Sequence, residues 1–200
     1  ICQRAIAEGI GTISITDHCD MDLWESHGIL YTLQQSIAET REAAERYKGR
    51  LEVLCGIELG EPLDVADQGE CALSLTDFDI VICSVHSEPG IGDYYYLPET
   101  IEDPYALLER YYQSLLRHVR WGRFDTLAHM TYPMRYFTRR SGITIDERNF
   151  DDIRDEIFKA LIEKGRALEL NTSGLFDRYG VTLPDLRMLR RYRELGGELL

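Results

Sequence analysis

Five polar residues capable of metal or phosphate chemistry each follow a short apolar, β-prone run. They are His18 in Thr16-Asp17-His18, Glu58 in Gly56-Ile57-Glu58, His86 in Ser84-Val85-His86, His129 in Leu127-Ala128-His129 and Asn171 in Glu169-Leu170-Asn171. Imidazole nitrogens combined with a carboxylate suit Zn, Mn or Fe better than Ca or Mg alone. One glutamate can bridge two ions, with histidines from different strands completing each shell. A cluster of that kind lowers the pKa of a bound water and clamps phosphate oxygens. Phosphate monoesters hydrolyse extremely slowly unaided, so this is the help such a substrate demands. A single strand-end histidine is more often a satisfied structural residue than a ligand. Three of the chain's five histidines at successive strand ends, with a glutamate among them, point to a metal site.

The positioning elements follow from the pattern. Residues 1–9 read as a helix end closed by Gly9, and Thr12–Thr16 as a short buried strand. A helix is expected over 29–48, a strand over Leu51–Ile57, a helix within 62–75 and a continuous apolar strand over Asp79–Val85. Pro104 opens a helix reaching about Trp121. Phe124–Ala128 and Arg166–Leu170 read as strands, Asp146–Lys164 and Pro184–Leu195 as helices, and Glu198–Leu200 as the start of one more strand. Strands alternating with helices argue for a parallel α/β sheet in one domain spanning residues 1–200. Both a barrel and an open sheet fit that alternation. Enzymes of either kind place their chemistry at the C-terminal ends of strands, so the five side chains are expected on one rim.

Neighbouring residues extend the candidate site. Asp17, beside His18, suits either orienting a ligand or acting as an acid for the leaving group, and loop capping is the simpler alternative. Arg135 and Arg139/Arg140 follow His129, where an arginine can pair with phosphate oxygens or simply face solvent. The Tyr94-Tyr95-Tyr96 run suits either the wall of an imidazole-sized pocket or packing on the rim. His27 and His118 read as solvent-facing or packing residues, and the charged stretch 39–50 as a solvated helix face.

Composition bounds the rest. A 200-residue chain with 44% hydrophobic residues can bury a sizeable core. Its net charge of −13 argues against a nucleic-acid surface and against anionic lipid. An acidic protein can still bind phosphate when metal ions supply the local positive charge. No apolar run is long enough to span a membrane, and residues 1–10 do not read as a signal peptide. Five cysteines without a CxxC pair read as reduced core thiols of a cytoplasmic protein.

The ordered set of motifs resembles the PHP (polymerase and histidinol phosphatase) superfamily, over essentially the whole chain. Thr16-Asp17-His18, Gly56-Ile57-Glu58, Ser84-Val85-His86 and Ala128-His129 match its four central motifs. Within it, Leu168-Glu169-Leu170-Asn171-Thr172-Ser173-Gly174 and the TDHxD stretch ending at Asp20 resemble the histidinol-phosphatase branch. The resemblance implies a distorted (β/α)7 TIM-like barrel with up to three divalent metals. Glu58 would bridge two ions, His86 and His129 would bind one of them and His18 the third. Asp17 and Glu58 become the implied catalytic pair, and Arg135, Asn171 and Ser173 the implied substrate contacts. The implied activity is hydrolysis of L-histidinol phosphate, a small-molecule substrate, in histidine biosynthesis. The family's HxH motif is expected before Ile1 and its DxH motif just after Leu200, which makes this chain a barrel truncated at both ends. Other readings are a PHP phosphoesterase acting on nucleotides or other small phosphate esters, and a non-catalytic metal-binding module. An amidohydrolase barrel fits less well, since it usually wants a lysine where this chain offers Glu58.

Overall fold

The computed structural model describes residues 1–98, 100–138, 142–176 and 179–198. These fall into two compact units, Ile1–Ile82 and Cys83–Leu200.

In the first unit α1 (Cys2–Ala7) leads into β1 (Thr12–Ile15), and β2 (His18–Asp20) resumes after a two-residue break. The long helix α2 (Ile29–Tyr47) then returns the chain to β3 (Glu52–Gly60), which α3 (Ala66–Leu73) follows. Both earlier strands lie parallel to β3: Thr12 is opposite Glu52 and Ile15 opposite Cys55, then His18 opposite Glu58 and Asp20 opposite Gly60. Across the break, the Glu58 N–H donates to the Asp17 carbonyl at 3.1 Å. The strand is therefore longer than the apolar run 51–57 suggests. It continues because β2 offers it a partner, and Glu58 lies inside the strand rather than beyond its end.

Ala5, Leu51 and Val53 form a small core, packed by Ile13 and Ile15 of β1 and by Ala43, Ala44 and Tyr47 of α2. Fully burying a side chain the size of Leu51 or Val53 contributes about 1.5–3 kcal/mol. Gly56 sits where the backbone is crowded. A Cβ there would lie 2.6 Å from both Ile80 Cγ2 and Thr16 Cγ2.

The strand β4 (Ile80–Ser84) carries the chain from the first unit into the second. At its entry the Asp79 N–H donates to the Cys55 carbonyl at 2.8 Å, and at its exit the Ala128 N–H donates to the Cys83 carbonyl at 2.9 Å. A small antiparallel hairpin of β5 (Ser87–Glu88) and β6 (Gly92–Asp93) follows. Helix α4 spans Pro104–Trp121, the bounds expected from the sequence, with the Asp103 carboxylate accepting from the Ala106 N–H. Its buried face, Leu107, Leu108, Tyr111, Tyr112, Leu115, Leu116 and Val119, repeats every three or four residues.

Next come β7 (Thr126–Leu127), the short helix α5 (Tyr132–Tyr136), α6 (Asp151–Lys164), β8 (Ala167–Leu168) and α7 (Leu186–Glu194). β7 and β8 are parallel, and both are shorter than the strands expected over Phe124–Ala128 and Arg166–Leu170. The helix expected from Asp146 begins as a separate 3-10 turn, Glu147–Phe150. That turn is held by Arg154, which is 1% exposed and donates to the Glu147 carboxylate at 3.2 Å and to the Phe150 carbonyl at 3.3 Å. Beyond α7, the Leu168 N–H donates to the Glu198 carbonyl at 3.2 Å, so Glu198, where a further strand is expected to start, lies beside β8. Leu199 and Leu200 lie outside the described residues.

All five cysteines are free thiols, with Cys19, Cys55 and Cys83 buried and Cys2 and Cys71 partly exposed. Burial, reinforced by Asp20 and Cys71, pushes the Cys19 thiol up to about 12. Titration of the native protein with an aromatic disulfide at neutral pH is expected to show Cys2 and Cys71 reacting first. The other three should follow only after denaturation. Fast reaction of all five would contradict this burial.

Candidate metal centre

Strand register assembles the donors of the first unit. His18 and Glu58 are cross-strand partners, so their side chains leave the same face. His18 Nε2 stands 3.7 Å from Glu58 Oε2. Asp20, two residues on and therefore on that face too, lies 3.3 Å from His18 Nδ1 through its Oδ2. Its carboxylate occupies the space over Gly60, where a Cβ would come within 2.2 Å of Asp20 Oδ1. A carboxylate on Nδ1 fixes the ring and leaves Nε2 as the nitrogen able to ligate, the arrangement that usually supports a metal-bound histidine. Asp17 points the other way: it is exposed, and its carboxylate accepts from the Ser36 hydroxyl on α2. Just past Gly60, Glu61 is 1% exposed and holds a left-handed backbone with φ of 49°. Such a conformation is costly for a non-glycine residue and clusters at functional sites.

The second unit carries the other imidazoles. His86 and His129 follow β4 and β7, both buried, and their Nε2 atoms face each other at 3.2 Å. Two nitrogens bound at 2.0–2.1 Å to one tetrahedral ion stand about 3.3 Å apart. The pair therefore fits a shared divalent metal. Tyr132, at the start of α5, wedges against both rings with centroids 5.0 Å away, edge-on to His86 and tilted to His129. Burial first, then hydrogen bonding to Tyr136, pushes its phenol far above the ordinary range, so it stays neutral.

A hydrogen-bonded chain runs from His129 to Arg135. The His129 N–H donates to Glu169 Oε2 at 2.7 Å, and Asn171 Nδ2 donates to Glu169 Oε1 at 3.2 Å. Asn171 Oδ1 accepts from the Ser173 N–H at 2.9 Å and from the Ser173 hydroxyl at 2.5 Å. Arg135 Nη1 donates to Ser173 Oγ at 3.2 Å. The structure thus brings together the three expected substrate contacts, Arg135, Asn171 and Ser173.

The remaining candidates divide. Tyr94 is buried and donates to Glu88 Oε2 at 2.8 Å, whereas Tyr95 and Tyr96 are exposed, edge to face at 5.0 Å. Only Tyr94 of that run packs inside. His118 is fully buried, with Nδ1 2.8 Å from the Ser114 carbonyl, and exposed His27 is 3.0 Å from the Ser26 hydroxyl. Both match their packing or solvent roles. Arg139 and Arg140 lie outside the described residues. Sequence reasoning gave no role to Glu169. Its signal was parity, since residues two apart on an extended chain share a face and Glu169 precedes Asn171 by two.

The PHP domain profile matches residues 1–173. The chain belongs to the PHP family, with its α/β, TIM-like barrel type of fold. It is 25% identical to a probable histidinol-phosphatase of Clostridium acetobutylicum over 94% of this chain and 71% of that protein. It is 27% identical to the histidinol-phosphatase of Lactococcus lactis over 98% of this chain and 73% of that one. The crystal structure of a Lactococcus lactis histidinol phosphate phosphatase, complexed with zinc, L-histidinol and phosphate, superposes with a TM-score of 0.76. That match has 24% identity and covers 99% of this chain and 76% of the other.

If Asp20 orients His18, Asp20→Asn should weaken metal binding about tenfold or more while leaving the metal-free fold intact. Competition with a chromogenic chelator measures this, and unchanged affinity would reduce Asp20 to a surface carboxylate.

Proposed function

We propose that the chain is a metal-dependent phosphatase, a single PHP domain that hydrolyses L-histidinol phosphate to L-histidinol and phosphate in histidine biosynthesis. The observation that carries this reading is the pair of facing imidazoles, His86 and His129, at a metal-ligand separation of 3.2 Å. Membership of the PHP family and the histidinol-phosphatase relatives supply its substrate.

His18, Glu58, His86 and His129 are the proposed ligands, with Glu58 shared between ions, for up to three of Zn, Mn or Fe. When bound, such ions supply a water of lowered pKa and positive charge for the phosphate oxygens. The protein's own contribution is positional. Asp20 holds the ring of His18, and Tyr132 packs the rings of His86 and His129. Arg135 presents a guanidinium to phosphate oxygens, with Ser173 and Asn171 beside it. Of the two roles open to Asp17, orientation is the one favoured by its hydrogen bond to Ser36, which fixes the backbone just before His18.

The net charge of −13 suits a substrate carrying a cationic amine and disfavours nucleic acid as a partner. Among the described residues no helix is long and apolar enough to cross a membrane. Five free thiols fit a reducing cytoplasm.

Two measurements test the proposal. Metal-loaded full-length protein, carrying the HxH and DxH motifs expected beside this chain, should show a higher kcat/KM on histidinol phosphate than on nucleoside monophosphates or phosphosugars. A preference for nucleotides would favour a different PHP phosphoesterase, and tight metal binding without turnover would favour a binding module. In addition, Glu58→Gln should lower kcat on the order of 100-fold or more, since the amide keeps the shape but loses the charge opposite the cations. The unfolding midpoint of the metal-free protein should barely move. Near-normal turnover in that variant would make Glu58 structural.

A further inference from the structure

Among the described residues, Glu169 is the carboxylate that joins a proposed metal ligand to the proposed substrate contacts. Its Oε2 accepts from the backbone N–H of His129 at 2.7 Å, and its Oε1 accepts from Asn171 Nδ2 at 3.2 Å. The polarity of this chain is fixed at both ends. A peptide N–H can only donate, so the Ser173 N–H requires Asn171 to turn its oxygen toward it, at 2.9 Å. Asn171 must then turn its NH2 group toward residue 169. The His129 N–H likewise needs an acceptor there. Residue 169 therefore faces donors on both sides, and an ionised carboxylate is the side chain that accepts at both of its termini. Beyond Asn171, the oriented Ser173 hydroxyl donates to Asn171 Oδ1 at 2.5 Å and is left to accept from Arg135 Nη1 at 3.2 Å.

We propose that Glu169 is a positioning residue that sets Arg135, through Asn171 and Ser173, relative to the backbone of His129. The proposal rests on the phosphatase reading for its kinetic consequence, but its hydrogen-bond logic stands apart from any activity. Glu169 touches no reacting atom; it works by matching donors to acceptors.

That logic predicts how substitutions combine. Glu169→Gln keeps the length of the side chain but presents one donor and one acceptor. If its oxygen faces His129, its NH2 meets the NH2 of Asn171. Asn171 can turn over only by facing its NH2 toward the Ser173 N–H. One junction fails in either case. Adding Asn171→Asp repairs both junctions: the new carboxylate accepts from the side-chain amide at position 169 on one side and from Ser173 on the other. The double variant also conserves the total charge.

The test compares wild type, E169Q and E169Q/N171D. Hydrogen exchange of the His129 and Ser173 amide protons reads the network directly, whatever the substrate. Protection at one or both is expected to fall in E169Q and to return in the double variant. With metal-loaded protein, E169Q should raise KM for histidinol phosphate about tenfold or more, with a smaller effect on kcat, and the double variant should recover most of that loss. Unchanged amide protection in E169Q, or a double variant no better than the single one, would overturn the proposal. Wild-type protein inactive on histidinol phosphate would overturn the proposed function, while the exchange data would still decide the role of Glu169.

Discussion

Parallel register along β3 determines which donors of the first unit can act together. Because successive side chains of a strand leave opposite faces, a slip of one residue would carry Glu58 away from His18. Two pairings hold the register, Thr12 with Glu52 and His18 with Glu58, separated by the short break at Thr16-Asp17. The glycines of β3 belong to the same constraint. Gly56 admits the side chains of Thr16 and Ile80, and Gly60 leaves the space filled by the Asp20 carboxylate. Residue types that look permissive in the sequence are thus dictated by what the neighbouring strands place above them.

Where the sequence carried strong periodic or terminal signals, the elements appear as read: α4 begins at Pro104 and stops before Gly122, and α2 and α6 end where Gly49 and Gly165 suggest. The placement of His86 and His129 after strands was legible because each follows a short β-prone run, Ile80–Val85 and Phe124–Ala128. What escaped was anything depending on a partner strand or a distant backbone group. β2 is three residues long, and the continuation of β3 through Glu58 needs it. The hairpin β5–β6 has two residues on each side, too few for a pattern. The role of Glu169 escaped because its partner on one side is a peptide N–H forty residues earlier, which no side-chain motif records.

The arginines of the second unit divide by the partners they meet. Several arginines of the helices are matched locally. Arg187 pairs with Asp151 at 3.0 Å, and Arg191 pairs with Asp155, whose carboxyl it holds below the usual range. Such exposed pairs contribute little stability each. The contact between Arg135 and Ser173 is different in kind, since its acceptor is a neutral hydroxyl. It fixes where the guanidinium sits beside Ser173, and the same group lies over the Tyr136 ring, 5.5 Å from its centroid.

The segment from His129 to Arg135 has a further consequence for how such a protein can change over time. Seven consecutive residues hold an imidazole donor, the aromatic wedge Tyr132 and the guanidinium, with Tyr132 and Arg135 both on the short helix α5. If His129 and Arg135 act as proposed, drift at either end of this segment would disturb both metal and phosphate binding. Selection for a new leaving group would find little freedom there. Tyr96, by contrast, is exposed at the surface, where a change of side chain meets far fewer packing constraints.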